Sequence, residues 1–148
     1  MIKILFVCHG NICRSPMAEA IMKYLTKDKN DYYIESKATS FEEIGNPIYS
    51  PCKRVLDKYH IPYDDHRASR VEPSDYDKFD YIIIMDRLNE RNIKYIFTKD
   101  TSKVHKLLEY SNSNGDISDP WYTGEYEECF KQIYKGCENF LKYLESKK

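Results

Sequence analysis

The sequence predicts an α/β protein: a three-layer sandwich with a four-stranded parallel sheet and helices on both faces. Three observations carry this expectation. Two near-continuous apolar runs, IKILFV at 2–7 and FDYIIIM at 79–85, suit strands buried on both sides. Strand-like and helix-like segments alternate along the chain in the order β-α-β-α-β-α-β-α. The 148 residues show no repeat or low-complexity tract and suit one domain, 1–148.

The elements follow in order. Residues 2–7 form the first strand. A helix is expected from Ser15, with serine as N-cap and Pro16 at the first helical position. Met17, Ile21, Tyr24 and Leu25 then follow helical spacing. YYIES at 32–36 reads as the second strand, and 50–59, with Val55 and Leu56, as a helix ending near His60. Residues 79–85 are the third strand, 87–97 a helix through Leu88, Ile93 and Ile96, and VHKLL at 104–108 the fourth strand. Tyr126, Phe130, Ile133, Cys137, Phe140, Leu141 and Leu144 then line one stripe of a last helix. Cys129 and Cys137 lie on or beside that stripe and read as packing thiols.

Segments 37–49 and 109–123 are polar, with Gly and Pro, and read as loops of the length that carries function. Sites in open parallel sheets form beyond the carboxyl ends of the strands. Cys8, Ser36, Asp86 and the loop after 108 all follow strand ends.

Composition narrows the function. The formal net charge is -1, so nucleic acid is not expected as a partner. No apolar run reaches the roughly 20 residues of a membrane span, and the opening run is too short for a secretory leader. A cytoplasmic location without membrane contact is expected. The five cysteines are odd in number, and none has CxxC spacing, which argues against a disulfide framework or a zinc site.

CHGNICRS, at 8–15, is the chemically distinctive stretch. It joins a buried strand to a helix N-terminus, where backbone N–H groups and the helix dipole favour an anion. Gly10 is expected to supply unusual φ values and Asn11 the left-handed region. Arg14 offers a planar fork for two phosphate oxygens. The Cys8 thiol opens this loop, so the same positive potential favours its thiolate, a nucleophile aimed at a bound phosphoryl group. The Ser15 hydroxyl is placed to donate to it. Arg14 and the nest meet the charge of the group transferred, so no metal or other cofactor is expected.

These residues resemble the low-molecular-weight protein tyrosine phosphatases, whose signature is Cys, five residues, Arg, Ser. The resemblance extends over nearly the whole chain, through SKATSFEEIGNP, MDRLNERNI and DPWY at 119–122. It implies that Cys8 becomes a phosphocysteine, that Arg14 binds the phosphoryl oxygens, and that Asp119 is the general acid and then base. It implies a substrate-binding loop of His9, Gly10, Asn11, Ile12, Cys13 and Ser15, with Trp121 and Tyr122 at the mouth. Asn11, Ser15, Ser36 and His66 would hold that loop by hydrogen bonds. The partner implied is a tyrosine-phosphorylated protein, and a monomer is expected.

Several alternatives stay open on the sequence. A bare Asp-Pro pair reads by default as a turn. The aromatics beside Asp119 favour its protonated form, and Asp86 is the runner-up acid, expected instead to cap a helix. Cys13 either fills space beneath the loop or pairs with Cys8 under oxidation. Cys52 reads as structural, and His60 and His105 as ordinary. HRASR at 66–70 departs from the family pattern H-x-A/S-R, which leaves Arg67, Ser69 and Arg70 unassigned. On the rim, Phe41 or Tyr49 faces DPWY, while Glu42 favours a substrate with a basic flank and His9 adds charge at low pH. Relatives acting on phosphoarginine carry Thr where Ile12 stands and lack a second aromatic after the Asp-Pro pair. Ile12 with Trp121 and Tyr122 therefore points to phosphotyrosine, with a phosphoarginine phosphatase or a cysteine phosphocarrier as alternatives. A thioredoxin-coupled arsenate reductase needs a further cysteine pair, and only Cys52 lies between residues 14 and 128.

Overall fold

A computed structural model describes all residues 1–148. The chain runs β1 (Ile2–Cys8), α1 (Arg14–Leu25), β2 (Tyr32–Ala38), α2 (Ser50–Lys58), α3 (Asp75–Lys78), β3 (Tyr81–Ile84), α4 (Arg87–Ile93), β4 (Val104–Lys106), α5 (Pro120–Thr123) and α6 (Tyr126–Ser146). The four strands form one sheet in the order β2-β1-β3-β4, and every pairing is parallel. The expected α/β sandwich is present.

Successive strand side chains point to opposite faces. Ile4, Phe6 and Cys8 of β1, with Ile83 and Met85 beside them, enter a core shared with residues of α1, α2 and α6. Leu5, Val7, Ile82 and Ile84 point the other way, onto Val71, Phe79, Ile93, Ile96 and Phe97. Residues 4–7 are all fully buried because both faces are covered, which is why β1 reads as an unbroken apolar run. Each such side chain contributes about 1.5–3 kcal/mol by leaving water. Phe6 meets Phe140 of α6 edge-on, with ring centroids 6.5 Å apart. Gly136 lets α6 approach Leu107 closely: a Cβ there would stand 2.9 Å from Leu107 carbons.

Several boundaries differ from expectation. α1 starts at Arg14, with Cys13 at the N-cap position and no side-chain cap, so Ser15 is already inside the helix. α4 ends at Ile93 rather than 97. β4 is three residues long, and Leu107–Ser111 form a 3₁₀ turn instead of extending it. α3 and α5 are short helices that periodicity does not reveal, since four residues hold barely one turn. α5 nevertheless carries local signals: Asp119 caps it, Pro120 is at its start, and Gly124, at φ 74°, ends it.

The sheet order places the site. From β1 the chain passes to β2 on one side and later reaches β3 on the other. The crevice above β1 is therefore the topological switch point, where ligands bind in open α/β sheets. The loop 8–15 opens there.

Candidate active site

Cys8 ends β1 and is 3% exposed at the foot of a cleft of about 150 Å³. Its sulfur lies 3.0 Å from Ser15 Oγ, and the amides of Asn11 and Ser15 donate to it at 3.4 Å each. These three contacts fix the sulfur against the loop. The Ser15 hydroxyl is thus occupied at Cys8 rather than at a helix cap. The amides of Gly10, Ile12, Cys13 and Arg14 donate to no group of the protein. A run of unspent N–H groups at a helix start is an anion cradle.

Asn11 supports the loop from beneath. It adopts φ 60°, in the left-handed region expected of it. Fully buried, it uses its whole side chain: Nδ2 donates to Ser15 Oγ (2.8 Å) and Ser36 Oγ (3.0 Å), and Oδ1 accepts from Ser69 N (3.2 Å). His66 Nε2 donates to the Asn11 carbonyl at 2.8 Å, which fixes that ring tautomer. The Ser36 hydroxyl in turn donates to Glu19 Oε1. Asn11, Ser15, Ser36 and His66 are therefore one connected network. Its members Ser69 and Glu19 carry no signal in the sequence that marks them. Gly10 departs from expectation, because its φ is not positive. Its Cβ would instead stand 3.3 Å from Glu43 Cγ, so the constraint there is close approach.

Arg14 is 2% exposed and held from several sides. Its Nη1 donates to Asp86 Oδ2 at 2.7 Å and to the Ile117 carbonyl at 2.8 Å. Nη2 reaches Asp119 Oδ2 only at 3.4 Å. Both hydrogens of Nη1 are thus spent on positioning, and the Nε–Nη2 edge is left for a ligand. Burial pulls the guanidinium pKa down, but Cys8, Asp86 and Asp119 outweigh it and hold it above its ordinary value. Asp86 caps α4, as expected, by accepting from Asn89 N through Oδ1 at 2.8 Å. Its second oxygen makes it the anchor of Arg14, a task invisible in the sequence.

Asp119 stands across the cleft from Cys8's loop. Its Oδ1 accepts from Trp121 N at 3.0 Å, which leaves Oδ2 turned to Arg14. Trp121 and Tyr122 are 58% and 85% exposed and form one wall of the mouth. Tyr49 faces them, with its ring 5.3 Å from Trp121 and 6.0 Å from Tyr126. Phe41 does not take that place: it lies under the Arg70 guanidinium, 4.1 Å away, outside the cleft. Tyr126, read only as part of the α6 stripe, also lines the cleft. His9 and Glu42 close the remaining rim, paired at 3.0 Å. Ile12 and Cys13 complete the lining, while the side chains of Asn11 and Ser15 lie below it.

Cys13 has a partner that its sequence neighbourhood does not suggest. Its sulfur is 2.6 Å from that of Cys52 on α2. Cys129 and Cys137 are buried, as expected, and burial pushes the Cys129 thiol up to about 12. Arg67 pairs with Asp65, Ser69 serves Asn11, and Arg70 Nε binds the Thr39 carbonyl, which assigns the HRASR segment. No cluster of three or more metal-ligating side chains is present, and no helix is long and apolar enough to cross a membrane.

The model of the family described as low molecular weight phosphotyrosine protein phosphatase matches residues 3–148. The chain belongs to this family. Among relatives, a low molecular weight protein-tyrosine-phosphatase PtpA of Staphylococcus epidermidis is 42% identical over 147 residues, covering 97% of this chain and 94% of its own. Among solved structures, YfkJ from Bacillus subtilis superposes with a TM-score of 0.95 at 40% identity, over 100% of this chain and 97% of that one. The low molecular weight protein tyrosine phosphatase of Streptococcus pyogenes gives 0.90 at 41%, over 97% and 93%. A Drosophila arginine phosphatase gives 0.87 at 28% identity, over 97% and 98%. The solved neighbours thus carry names for two substrate classes, with the Streptococcus pyogenes tyrosine phosphatase at 41% identity and the Drosophila arginine phosphatase at 28%.

Proposed function

We propose that this protein hydrolyses phosphotyrosine in proteins through a phosphocysteine on Cys8. One observation carries the reading: a sulfur held by the Ser15 hydroxyl and by the amides of Asn11 and Ser15 lines one cleft with Arg14 and Asp119, beside loop amides that have no partner in the protein.

The phosphoryl oxygens occupy the amides of the loop and the Nε–Nη2 edge of Arg14. A phosphate oxygen that takes Nη2 releases the long contact to Asp119 Oδ2. Cys8 sulfur attacks phosphorus in line as the phenolic oxygen departs, and Asp119 gives that oxygen its proton. Tyrosine leaves, and a thiophosphate ester remains on Cys8. Asp119, now a carboxylate, takes a proton from water as the water attacks phosphorus. The S–P bond breaks, the Cys8 thiolate returns to its Ser15 partner, and inorganic phosphate leaves. Charge on the transferring group is met by fixed N–H donors throughout, which is electrostatic preorganisation.

The walls of Tyr49, Trp121 and Tyr126, with Ile12 adding apolar surface, favour an apolar aromatic leaving group over a polar guanidino one. Asp119 argues against a phosphocarrier, which needs no general acid. The test is turnover of p-nitrophenyl phosphate without metal by the wild type, Cys8→Ser and Asp119→Ala. Cys8→Ser is expected to be inactive and Asp119→Ala weaker by about 10²–10⁴-fold. Full activity in Cys8→Ser would sink the mechanism. Competing phosphotyrosine and phosphoarginine peptides separate the two substrate classes, and faster turnover of the phosphoarginine peptide contradicts this assignment.

A further inference from the structure

Cys13 closes the catalytic loop and lines the cleft, while Cys52 lies in the first turn of α2 with no exposure. Neither sulfur is used in the phosphoryl chemistry. Yet the two stand 2.6 Å apart, brought together across 39 residues. A disulfide needs about 2.05 Å between sulfurs, so closure asks for a shift of about half an ångström. The backbone already holds the two segments together here: Tyr49 N donates to the Ile12 carbonyl at 2.8 Å, and Cys52 N donates to the Tyr49 carbonyl at 2.9 Å. Closing the bond therefore leaves the loop where it is.

We propose that Cys13 and Cys52 form a redox-linked dithiol, closed to a disulfide by a hydroperoxide entering the cleft while bound phosphate covers Cys8. The Cys13 sulfur, which the cleft exposes, attacks the peroxide. The O–O bond breaks, water leaves, and Cys13 becomes a sulfenic acid. The Cys52 sulfur attacks the Cys13 sulfur, the S–O bond breaks, and the hydroxide departs as a second water with the Cys52 proton. The pair loses two electrons and two protons, and hydrogen peroxide becomes two waters. The hydrogen bond with Cys52, together with burial, raises the Cys13 pKa, which slows its attack, so closure takes sustained oxidant. Once bonded to Cys52, Cys13 is no longer available to the sulfur of Cys8. The pair thus shields the nucleophile from its own neighbour.

The bond is read by mass and so stands apart from the phosphatase assignment. Full-length wild type, Cys8→Ser and Cys52→Ala are treated with hydrogen peroxide, with inorganic phosphate present to cover Cys8. Free thiols are alkylated and the unreduced digests are analysed by mass spectrometry. A linked Cys13–Cys52 peptide pair, about 2 Da lighter than its two thiols, is expected in the wild type and in Cys8→Ser. It is absent from Cys52→Ala, and Cys8 of the wild type is recovered alkylated. Without phosphate, Cys52→Ala loses aryl phosphatase activity to peroxide sooner than the wild type. Cys52→Ser serves the same comparison if the alanine variant does not fold. A dominant Cys8–Cys13 link in the wild type, or no link in Cys8→Ser, overturns the proposal.

Discussion

Asp86 holds Arg14. Oδ2 of the carboxylate accepts from Nη1 of the guanidinium at 2.7 Å, and the two side chains are only 16% and 3% exposed. Oδ1 of the same carboxylate caps α4. A helix start and the Arg14 guanidinium therefore share one side chain, and α4 becomes part of the frame that holds Arg14.

Substitution at Asp86 separates these two tasks. Asparagine caps a helix as well as aspartate does, so Asp86→Asn keeps α4 and loses the charged grip on Arg14. A hydrogen bond to a charged group contributes about 1.5–3 kcal/mol, so kcat/KM is expected to fall by about tenfold or more. Asp86→Ala removes the cap too, and its melting temperature falls below that of Asp86→Asn. Steady-state kinetics and thermal melts on both variants check this; equal melts with unchanged kinetics contradict it.

The mouth of the cleft makes a second prediction. Tyr49 and Trp121 face each other at 5.3 Å, whereas Phe41 is committed to Arg70. Aromatic pairing of this kind is worth about 0.5–1.5 kcal/mol beyond burial. Trp121→Ala or Tyr49→Ala should raise KM for aryl phosphates about threefold to tenfold, while Phe41→Ala leaves it nearly unchanged.

Packing makes a third. Any Cβ at position 136 would stand 2.9 Å from the Leu107 side chain. Gly136→Ala gains helix propensity but forces overpacking, which costs about 1–3 kcal/mol. Urea unfolding should show a net loss of stability despite alanine's better propensity. A more stable variant would show that Leu107 moves aside freely.

The C-terminal end of α6 makes a fourth. Glu145 binds Lys148, Lys29 and Tyr32, and these hydrogen bonds lower its carboxyl to about 2. A depressed carboxylate contributes stability that is present above its unfolded value, about 4.3, and lost as pH falls through the folded one. The stability difference between wild type and Glu145→Gln should be present at neutral pH and close as pH falls from about 4 toward about 2. The group is exposed, so solvent screening keeps the difference small.

Much of this arrangement was readable from residue order. The four strands, their parallel alternation and the CHGNICRS loop follow from apolar period and local chemistry. What escaped was non-local. The contacts Arg14–Asp86, Asn11–Ser69 and Cys13–Cys52 join residues 72, 58 and 39 positions apart, and no spacing rule reaches that far. Tyr126 was hidden because the stripe that buries α6 also carries its first turn into the cleft. Ser15 reads as a cap for the opposite reason: its hydroxyl is a good local acceptor, but Oγ accepts from Asn11 Nδ2 and faces the Cys8 sulfur. The left-handed Asn11, by contrast, was legible, because that conformation favours its residue type.

The central claim is that the phosphoryl group passes to the Cys8 sulfur. The most direct test is rapid acid quench of the protein with a phosphotyrosine peptide, followed by peptide mapping by mass spectrometry. The Asp119→Ala variant, which lacks the base for the second step, is mapped beside the wild type. The account predicts a phosphorylated peptide containing Cys8, with more of it in Asp119→Ala than in the wild type when a nitrophenyl substrate, whose better leaving group depends less on the acid, loads the enzyme. Phosphate found on another residue, or turnover with an unmodified Cys8 peptide at every time point, would contradict it.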